Sequence, residues 1–282
     1  MVELGVGLAC NNCCIMCTNI MPPPKGSWNR STREIEEMVR KFNKDDYQVT
    51  ITGGEPTIRF DFFHILKYIK TEMPNSRILL LSNGRMFYYP EFTKKFVDTG
   101  CDAVAIPLHA QNKELHDRIT RAPGSFKQTL QGIKNLLEHK DKVDVEIRVV
   151  IHKLNYRNLP AIAEFISTEL RGIRKVVLFP IDIIGNANLN RKKLIVKITD
   201  VKPSLERALA VLEKNNTEFN LYHVPFCIID KKYWKSVAGR TVEKRRVTFK
   251  SCDGCVMKKK CPGIWETYAF RVGTEEFKPV MG

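Results

Sequence analysis

The stretch VELGVGLACNNCCIMC, residues 2–17, runs from an apolar segment directly into four cysteines. The alternating apolar side chains of residues 2–8 predict a β-strand that ends where the cysteines begin. Cys10, Cys14 and Cys17 follow the pattern C-x3-C-x2-C. Spacings this short let one loop place three thiolates around one iron–sulfur cluster, and three protein ligands on a four-iron cluster leave one iron open to another ligand.

The fourth thiol of this stretch, Cys13, allows a second interpretation. Cys10 with Cys13, and Cys14 with Cys17, form two overlapping C-x2-C pairs. Adjacent cysteines point in different directions, so this loop alone does not supply all the ligands of one tetrahedral zinc ion. A zinc ion shared with distant cysteines stays open at this point.

Alternation of strands and helices continues beyond the cysteines as far as residue 183. Further strands are predicted at residues 47–52, 77–84, 101–110, 143–153 and 174–183, and helices at residues 31–44, 60–73, 89–100, 125–140 and 158–170. Repeated βα units with apolar strands predict a parallel sheet with right-handed crossovers. Six units are too few for a closed eight-stranded barrel. We therefore predict an α/β fold, a partial (β/α)6 barrel of parallel strands, with a doubly wound sheet as the alternative.

Short motifs stand at the ends of the predicted strands. GGEP, residues 53–56, follows the second strand, SNG, residues 82–84, follows the third, and PLHA, residues 107–110, ends the fourth. Ligands of parallel α/β folds bind at the carboxyl ends of the strands. We therefore expect these motifs and the cysteines to form one site.

The pattern changes after residue 185. Residues 184–194 predict a loop and residues 204–216 a helix, and the remaining segment is basic and rich in cysteine. We therefore predict a core at residues 1–190 and a small cysteine-rich extension at residues 191–282.

The extension contains a second group of thiols. Cys252, Cys255 and Cys261 follow the pattern C-x2-C-x5-C, and Cys227 adds a fourth thiolate. Four thiolates complete either a four-iron cluster or a zinc site. Spacing does not separate the two, because both suit tetrahedral thiolate ligands.

The composition is that of a soluble globular protein, with 43% hydrophobic and 27% charged residues in a chain of 282. No apolar run approaches the roughly 20 residues that span a bilayer, and the first residues lack the basic region of a signal peptide. The sequence therefore predicts a cytoplasmic protein without a membrane partner, whose thiols stay reduced. The odd number of cysteines, nine, also argues against a closed set of disulfides.

The formal net charge of +15 favours an anionic partner, such as RNA, an acidic peptide or an acidic electron donor. Much of the excess lies in residues 231–260, where eleven Lys and Arg residues face only Glu243 and Asp253. Aromatic residues are sparse there, and the segment has no signature of an RNA-binding fold. A solubilising surface is the simplest alternative.

The C-x3-C-x2-C motif is followed, after one predicted helix, by a strand that ends in GGEP. This combination resembles the radical S-adenosylmethionine (SAM) superfamily. The resemblance covers about residues 3–185, including HDRITRAPGSFKQTLQGIKNLL at residues 116–137 and IDIIGNA at residues 181–187. It implies a [4Fe-4S] cluster with SAM bound at its open iron.

The resemblance assigns roles within the first motif. It implies that Cys10, Cys14 and Cys17 hold the cluster. Cys13 is then the additional cysteine, at a position where the family commonly has a basic or polar residue. Met16 stands where the family usually has an aromatic residue against the adenine of SAM.

The GGEP turn is similar to the turn that holds the ammonium group of SAM. Gly53 and Gly54 let the backbone approach the ligand closely, since neither has a Cβ atom. The resemblance implies that this backbone and the carboxylate of Glu55 bind the ammonium, and Pro56 fixes the turn. A surface turn is the alternative for Glu55.

Four residues at or near the ends of later strands are implied to contact the ribose or carboxylate of SAM, or the substrate: Ser82, Asn83, His109 and Arg148. Each has a structural alternative. Ser82 and Asn83 also suit a turn, His109 suits a buried core position, and Arg148 suits a structural ion pair.

The C-terminal cysteines resemble the SPASM and twitch extensions of radical SAM enzymes, which hold auxiliary clusters. Four thiols imply one auxiliary [4Fe-4S] cluster and a twitch-like extension, with zinc as the alternative. An acidic electron donor, such as a flavodoxin or ferredoxin, is the implied redox partner.

The implied reaction is reductive cleavage of SAM to methionine and a 5′-deoxyadenosyl radical, which abstracts hydrogen from a substrate. By analogy with enzymes that carry such extensions we favour a peptide or protein substrate. A small metabolite or cofactor precursor comes second, and RNA third. A non-enzymatic zinc or iron–sulfur module that binds nucleic acid is the alternative of a different class, disfavoured by GGEP and the six βα units.

Overall fold

The computed structural model describes residues 1–23, 29–238 and 246–282. Its centre is a seven-stranded parallel sheet whose spatial order follows the chain, β1 to β7. The strands are β1 Val2–Gly5, β2 Gln48–Thr52, β3 Arg77–Leu81, β4 Ala103–Pro107, β5 Asp144–Ile151, β6 Lys175–Pro180 and β7 Phe219–Leu221. The sheet is open, and the predicted α/β partial barrel is confirmed.

Helices connect the strands as right-handed crossovers require. They are α1 Thr32–Arg40, α2 Phe62–Glu72, α3 Pro90–Val97, α4 Lys113–Thr120, α5 Ser125–Leu137, α6 Leu159–Glu169, α7 Gly185–Leu189, α8 Arg191–Leu194, α9 Ile198–Lys214 and α10 Glu266–Val272. The start of α1 shows how local sequence fixes a boundary. Ser31 accepts a hydrogen bond from the Glu34 N–H, and the Glu34 carboxylate accepts one from the Ser31 N–H, a capping box. None of the described helices is long and apolar enough to cross a membrane.

The structure differs from the sequence prediction after residue 185. Residues 184–194, predicted as a loop, contain the short helices α7 and α8, and α9 begins at Ile198, with Pro203 inside it. The seventh strand, Phe219–Leu221, was not predicted, because three residues are too few for a period-two pattern. Since this strand pairs with β6, the sheet extends past residue 190. The domain division at residue 190 stays a prediction.

The two faces of the sheet differ. One face joins the main hydrophobic core. The other face, which we call the inner face, carries a separate small cluster of Leu79, Leu81, Ala103 and Ala105. Parallel pairing places Glu146 beside Ala105, so the inner face continues onto β5.

The C-terminal segment attaches at the carboxyl end of β6. Two short antiparallel strands, β8 Arg246–Val247 and β9 Ile264–Trp265, precede α10. The Trp265 indole N–H donates to the Pro180 carbonyl at 3.0 Å, and the Thr267 hydroxyl donates to Asp182 at 2.7 Å. These contacts place the extension on the edge of the sheet that carries the motifs.

Candidate cluster and cofactor site

The cysteine loop, residues 10–17, is held from one side by the end of α4. The Cys13 N–H donates to the Thr120 carbonyl at 3.0 Å, and the Ile15 N–H donates to the Ile119 carbonyl at 2.9 Å. These carbonyls belong to the last turn of α4, where they have no partner within the helix. The loop is therefore fixed by backbone groups that the helix leaves free.

From the other side the loop is held by α7. The Asn186 amide donates to the Cys14 carbonyl at 3.1 Å, the Ala187 N–H donates to the Cys17 carbonyl at 3.2 Å, and the Asn190 amide donates to the Ile15 carbonyl at 3.2 Å. Three carbonyl groups of the loop are therefore turned toward α7.

Backbone N–H groups of the loop point at its sulfurs. The Asn12 N–H lies 3.3 Å from Cys10 Sγ, and the Asn19 N–H lies 3.4 Å from Cys17 Sγ. Such N–H···S contacts stabilise the negative charge of a ligated thiolate and tune the potential of a cluster. Together with the contacts to Asn186, Ala187 and Asn190, they fix the conformation of the loop, and ligation by its sulfurs stays a prediction.

The three thiols of the C-x3-C-x2-C motif lie close enough to influence one another. Burial raises the pKa of Cys10 to about 11, with smaller contributions from Glu55 and Cys17. Burial also raises the pKa of Cys14, and the neighbouring Cys17 and Cys10 add to the effect. Burial therefore disfavours the thiolate form of these cysteines as long as no cation is bound beside them.

Cys13 differs from its neighbours. Its thiol donates to the Met21 carbonyl at 3.0 Å. Its interpretation as the additional cysteine stays a prediction. Among the described residues no three His, Cys, Asp or Glu side chains converge tightly enough for a single metal ion, so the fit of a cluster is judged on the donors themselves.

The GGEP turn lies directly against the chain that enters the cysteine loop. The Gly54 N–H donates to the Gly7 carbonyl at 2.8 Å, and the Glu55 N–H donates to the Ala9 carbonyl at 2.7 Å. A Cβ atom on Gly54 would lie 2.2 Å from the Ala9 oxygen, so only glycine fits. Pro56 is buried at the start of a 3-10 turn that Glu55 caps. The predicted close approach at Gly53 and Gly54 is to this segment of the protein itself.

The carboxylate of Glu55 is buried and binds two other predicted site residues, Ser82 and Asn83, together with Thr57, which was not predicted. Its Oε1 accepts from the Ser82 hydroxyl at 2.8 Å and from the Thr57 N–H at 3.1 Å, and its Oε2 accepts from the Asn83 N–H at 2.6 Å. Burial raises the pKa of Glu55, although these hydrogen bonds oppose the shift. Oε2 accepts one hydrogen bond from the described chain, which leaves it able to accept another from a ligand.

Arg85 ties this cluster to the cysteine loop and was not predicted. Its guanidinium donates to the Asn12 side chain at 2.9 Å, to the Asn11 carbonyl, and to Gln128 at 2.6 Å. The Asn83 amide also donates to the Asn11 side chain, at 2.6 Å. The only sequence signal for Arg85 is its position directly after SNG.

Two of the predicted site residues, Met16 and His109, are buried. Met16 is buried within the main hydrophobic core. His109 is also buried, and its backbone N–H donates to Nδ1 of the His116 ring at 3.4 Å. Burial is the main reason that the pKa of His109 lies well below its usual range, and the neighbouring His116 and His152 lower it further. A contact of either residue with SAM stays a prediction.

Arg148 lies on the inner face, where it pairs in register with Pro107 of β4. Its Nη2 lies 3.7 Å from Glu146, and its buried Nε has no hydrogen-bond partner among the described residues. Burial lowers the pKa of Arg148, and Glu146 opposes that shift.

The C-terminal thiols form a second concave site, with about 440 Å³ of empty space that is partly open to solvent. Burial raises the pKa of Cys227 to about 12, and Cys261, Cys252 and Cys255 add to the effect, so the four thiols lie close together. The Gly263 N–H approaches Cys261 Sγ at 3.4 Å, and the Val280 N–H approaches Cys255 Sγ at 3.3 Å.

The basic segment is described only in part. Arg240, Lys244 and Arg245 lie outside the described residues. Of the described lysines, Lys258 pairs with Asp253 at 2.7 Å. A role of this segment in binding RNA or an electron donor stays a prediction.

Comparison with known proteins agrees with this geometry. The model of the radical SAM superfamily matches residues 5–166, more than half of the chain. A probable GTP 3′,8-cyclase of Methanopyrus kandleri is 25% identical over 214 residues, which are 73% of this chain and 65% of that protein. An AdoMet-dependent heme synthase of Methanosarcina barkeri is 28% identical over 178 residues, which are 63% of this chain and 49% of that protein.

Solved structures show the same fold. SuiB of Streptococcus suis, solved with SAM and with the precursor peptide SuiA, superposes with a TM-score of 0.62 in both cases. The sequence identities are 16% and 14%, over 78% of this chain and just under half of SuiB. The chain thus spans less than two thirds of the length of each of these three proteins.

Proposed function

This chain belongs to the radical SAM superfamily of enzymes, and on that premise we propose that it cleaves SAM reductively and starts a radical reaction on a peptide or protein substrate. One observation carries the proposal. The loop with Cys10, Cys14 and Cys17 is fixed between α4 and α7, directly beside the buried carboxylate of Glu55.

The residues present fit both cofactors of the family. Three thiols that share one loop, with N–H groups aimed at two of them, suit a [4Fe-4S] cluster with one open iron. The free acceptor position on Oε2 of Glu55 suits the ammonium group of SAM. When bound, the cluster supplies the reducing electron and SAM supplies the 5′-deoxyadenosyl radical that abstracts hydrogen.

The protein's own part is to hold this arrangement still and to keep water out. Ser82, Thr57 and the Asn83 N–H fix both oxygens of Glu55, so its orientation does not depend on the ligand. Arg85 and Asn83 hold Asn11 and Asn12 beside the first ligand cysteine. Preorganisation of this kind lowers the cost of placing the reacting groups together.

The C-terminal thiols are proposed to hold an auxiliary [4Fe-4S] cluster. The closeness of Cys227, Cys252, Cys255 and Cys261 in one pocket supports it, as do the two N–H···S contacts. The attachment of this segment at the carboxyl end of β6 would place the cluster near the substrate. Zinc is the alternative, and metal analysis distinguishes the two.

A peptide substrate is supported by the likeness to SuiB, which was solved with a precursor peptide. A small-molecule substrate is the second candidate, favoured by the probable GTP 3′,8-cyclase among the relatives. The net charge of +15 supports an acidic electron donor and keeps RNA as a further candidate.

The decisive experiment measures 5′-deoxyadenosine. The protein is reconstituted anaerobically with iron and sulfide and is then given SAM and dithionite. We expect product from the wild type and from Cys13→Ala, and none from Cys14→Ala. Cys13→Ala is the matched control, because it removes an adjacent thiol that is bonded to Met21 instead.

Two results would contradict the assignment. An iron-replete wild type that forms no 5′-deoxyadenosine would contradict the proposed chemistry. Equal loss in Cys13→Ala and Cys14→Ala, with zinc bound instead of iron, would favour the paired C-x2-C interpretation.

A further inference from the structure

Three charged side chains stand together on the inner face: Glu146, Arg148 and Lys175. Glu146 pairs in register with Ala105 on β4 and with Lys175 on β6. Arg148, two residues further along β5, lies on the same face. Charged residues in the middle of a sheet are costly unless a partner or a function requires them.

Arg148 lies at the height of the site that holds Glu55. Ala105 pairs with Leu81, the last residue of β3, so Glu146 is in the same row as Leu81. Two residues nearer the carboxyl edge, the row of Arg148 reaches Asn83, whose N–H binds Glu55. Arg148 is therefore in the row of the sheet that leads to the cofactor site.

The charges of the three residues do not balance. Lys175 lies 3.4 Å from one oxygen of Glu146, and Arg148 lies 3.7 Å from the other, so one carboxylate serves two cations. Lys175 is in the same row as Glu146 and neutralises it at the shorter distance. Arg148, nearer the carboxyl edge, is left with an uncompensated positive charge.

The surroundings of Arg148 leave it available to a ligand. Its side chain is 18% exposed, and its buried Nε has no hydrogen-bond partner in the described part of the chain. The two neighbouring strands place apolar residues beside it, Pro107 of β4 and Val177 of β6. Tyr222, just beyond β7, also lies within electrostatic range of the guanidinium.

We propose that Arg148 binds an oxyanion of the substrate, a carboxylate or phosphate, and that Lys175 keeps Glu146 from competing for the guanidinium. The inference rests on the proposed function, since it takes the carboxyl edge of the sheet beside the cluster loop as the substrate site. A planar guanidinium whose Nε has no partner among the described residues can donate a charge-assisted hydrogen bond to an oxygen of such a group. The substrate is therefore of an anionic class.

The test measures binding of inorganic phosphate and of succinate to the reconstituted protein by calorimetric titration. We expect affinity to fall at least about tenfold in Arg148→Gln, because a charge-assisted hydrogen bond is lost. Glu146→Gln should bind both probes more tightly than the wild type, since it removes the competing carboxylate. Arg174→Gln, an exposed neighbour paired with Glu218, is the matched control and should leave binding unchanged.

The outcomes separate clearly. Opposite shifts in Arg148→Gln and Glu146→Gln support the proposal, and a purely structural ion pair would not produce them. Wild-type affinity for both probes in both variants, or a wild type that binds neither probe, would overturn it. The proposal is also overturned if Arg148→Gln keeps its affinity for phosphate and for decarboxylated SAM but loses affinity for SAM. The oxyanion that Arg148 binds would then be the carboxylate of SAM. Phosphate binding requires no SAM cleavage, so failure of the proposed reaction is a separate result.

Discussion

Asn186 binds both backbone groups of Met21, a residue 165 positions earlier in the chain. Its Oδ1 accepts from the Met21 N–H at 3.0 Å, and its amide donates to the Met21 carbonyl at 2.9 Å. The same amide donates to the Cys14 carbonyl. One side chain at the end of the sixth βα unit therefore closes the loop that begins after the first strand.

The first prediction concerns this closure. Asn186→Ala leaves buried backbone groups of Met21 and Cys14 without partners, which we expect to lower the free energy of unfolding by about 2–4 kcal/mol. The loop should also lose its cluster, measured as iron per chain after anaerobic desalting. Asn188→Ala, two positions along α7, is the matched control. An Asn186→Ala protein with wild-type iron content would show that the loop does not depend on α7.

A second prediction concerns the contact between the GGEP turn and the segment before Cys10. Gly54→Ala places a methyl group 2.2 Å from the carbonyl oxygen of Ala9. Overpacking of this kind costs about 3 kcal/mol. We expect a lower melting temperature and weaker SAM binding, measured by equilibrium dialysis.

Gly254→Ala is the control for that substitution, because a Cβ atom there meets no other atom within 4 Å. It should be close to neutral in both measurements. If Gly54→Ala and Gly254→Ala behave alike, the turn does not need the close approach.

The strands and motifs of this fold were predictable because their signals are local. Apolar runs between turn residues indicated the first six strands, and the short cysteine spacing indicated a shared ligand. The contacts that fix the loop were not predictable, since Arg85 and Asn186 bind partners 73 to 172 positions away. Polar residues of this kind look like ordinary loop residues until the strands are placed side by side.

Removal of one C-terminal thiol tests the auxiliary cluster. We expect Cys227→Ala to lower iron from about eight to about four atoms per chain, because the C-terminal site loses one of its four thiolates while the N-terminal loop keeps all three of its own. The absorbance of the remaining cluster and SAM binding should persist. Cys101→Ala, a buried thiol outside both groups, is the control. Zinc in the wild type, lost in Cys227→Ala, would replace the cluster assignment with a zinc site.

The last prediction concerns three buried histidines: His109, His116 and His152. Burial lowers the pKa of His116 and of His152 to about 4, whereas an unfolded chain has a histidine pKa of about 6.5. Between these values the unfolded chain binds more protons than the folded one. The free energy of unfolding therefore rises with pH from about 4 to about 6.5, and falls on acidification.

A single substitution isolates one of these contributions. Nδ1 of His152 accepts the Leu154 N–H at 3.2 Å, and the side-chain oxygen of an asparagine can accept the same bond. His152→Asn should thus keep the turn but reduce the pH slope by at most about 1.4 kcal/mol per pH unit. Urea denaturation at pH 7.5, 6.5 and 5.5 measures the slope, with the partly exposed His139→Gln as control. A His152→Asn slope equal to that of the wild type would mean that His152 has the same pKa in the folded and the unfolded chain, and the burial argument for this residue would fail.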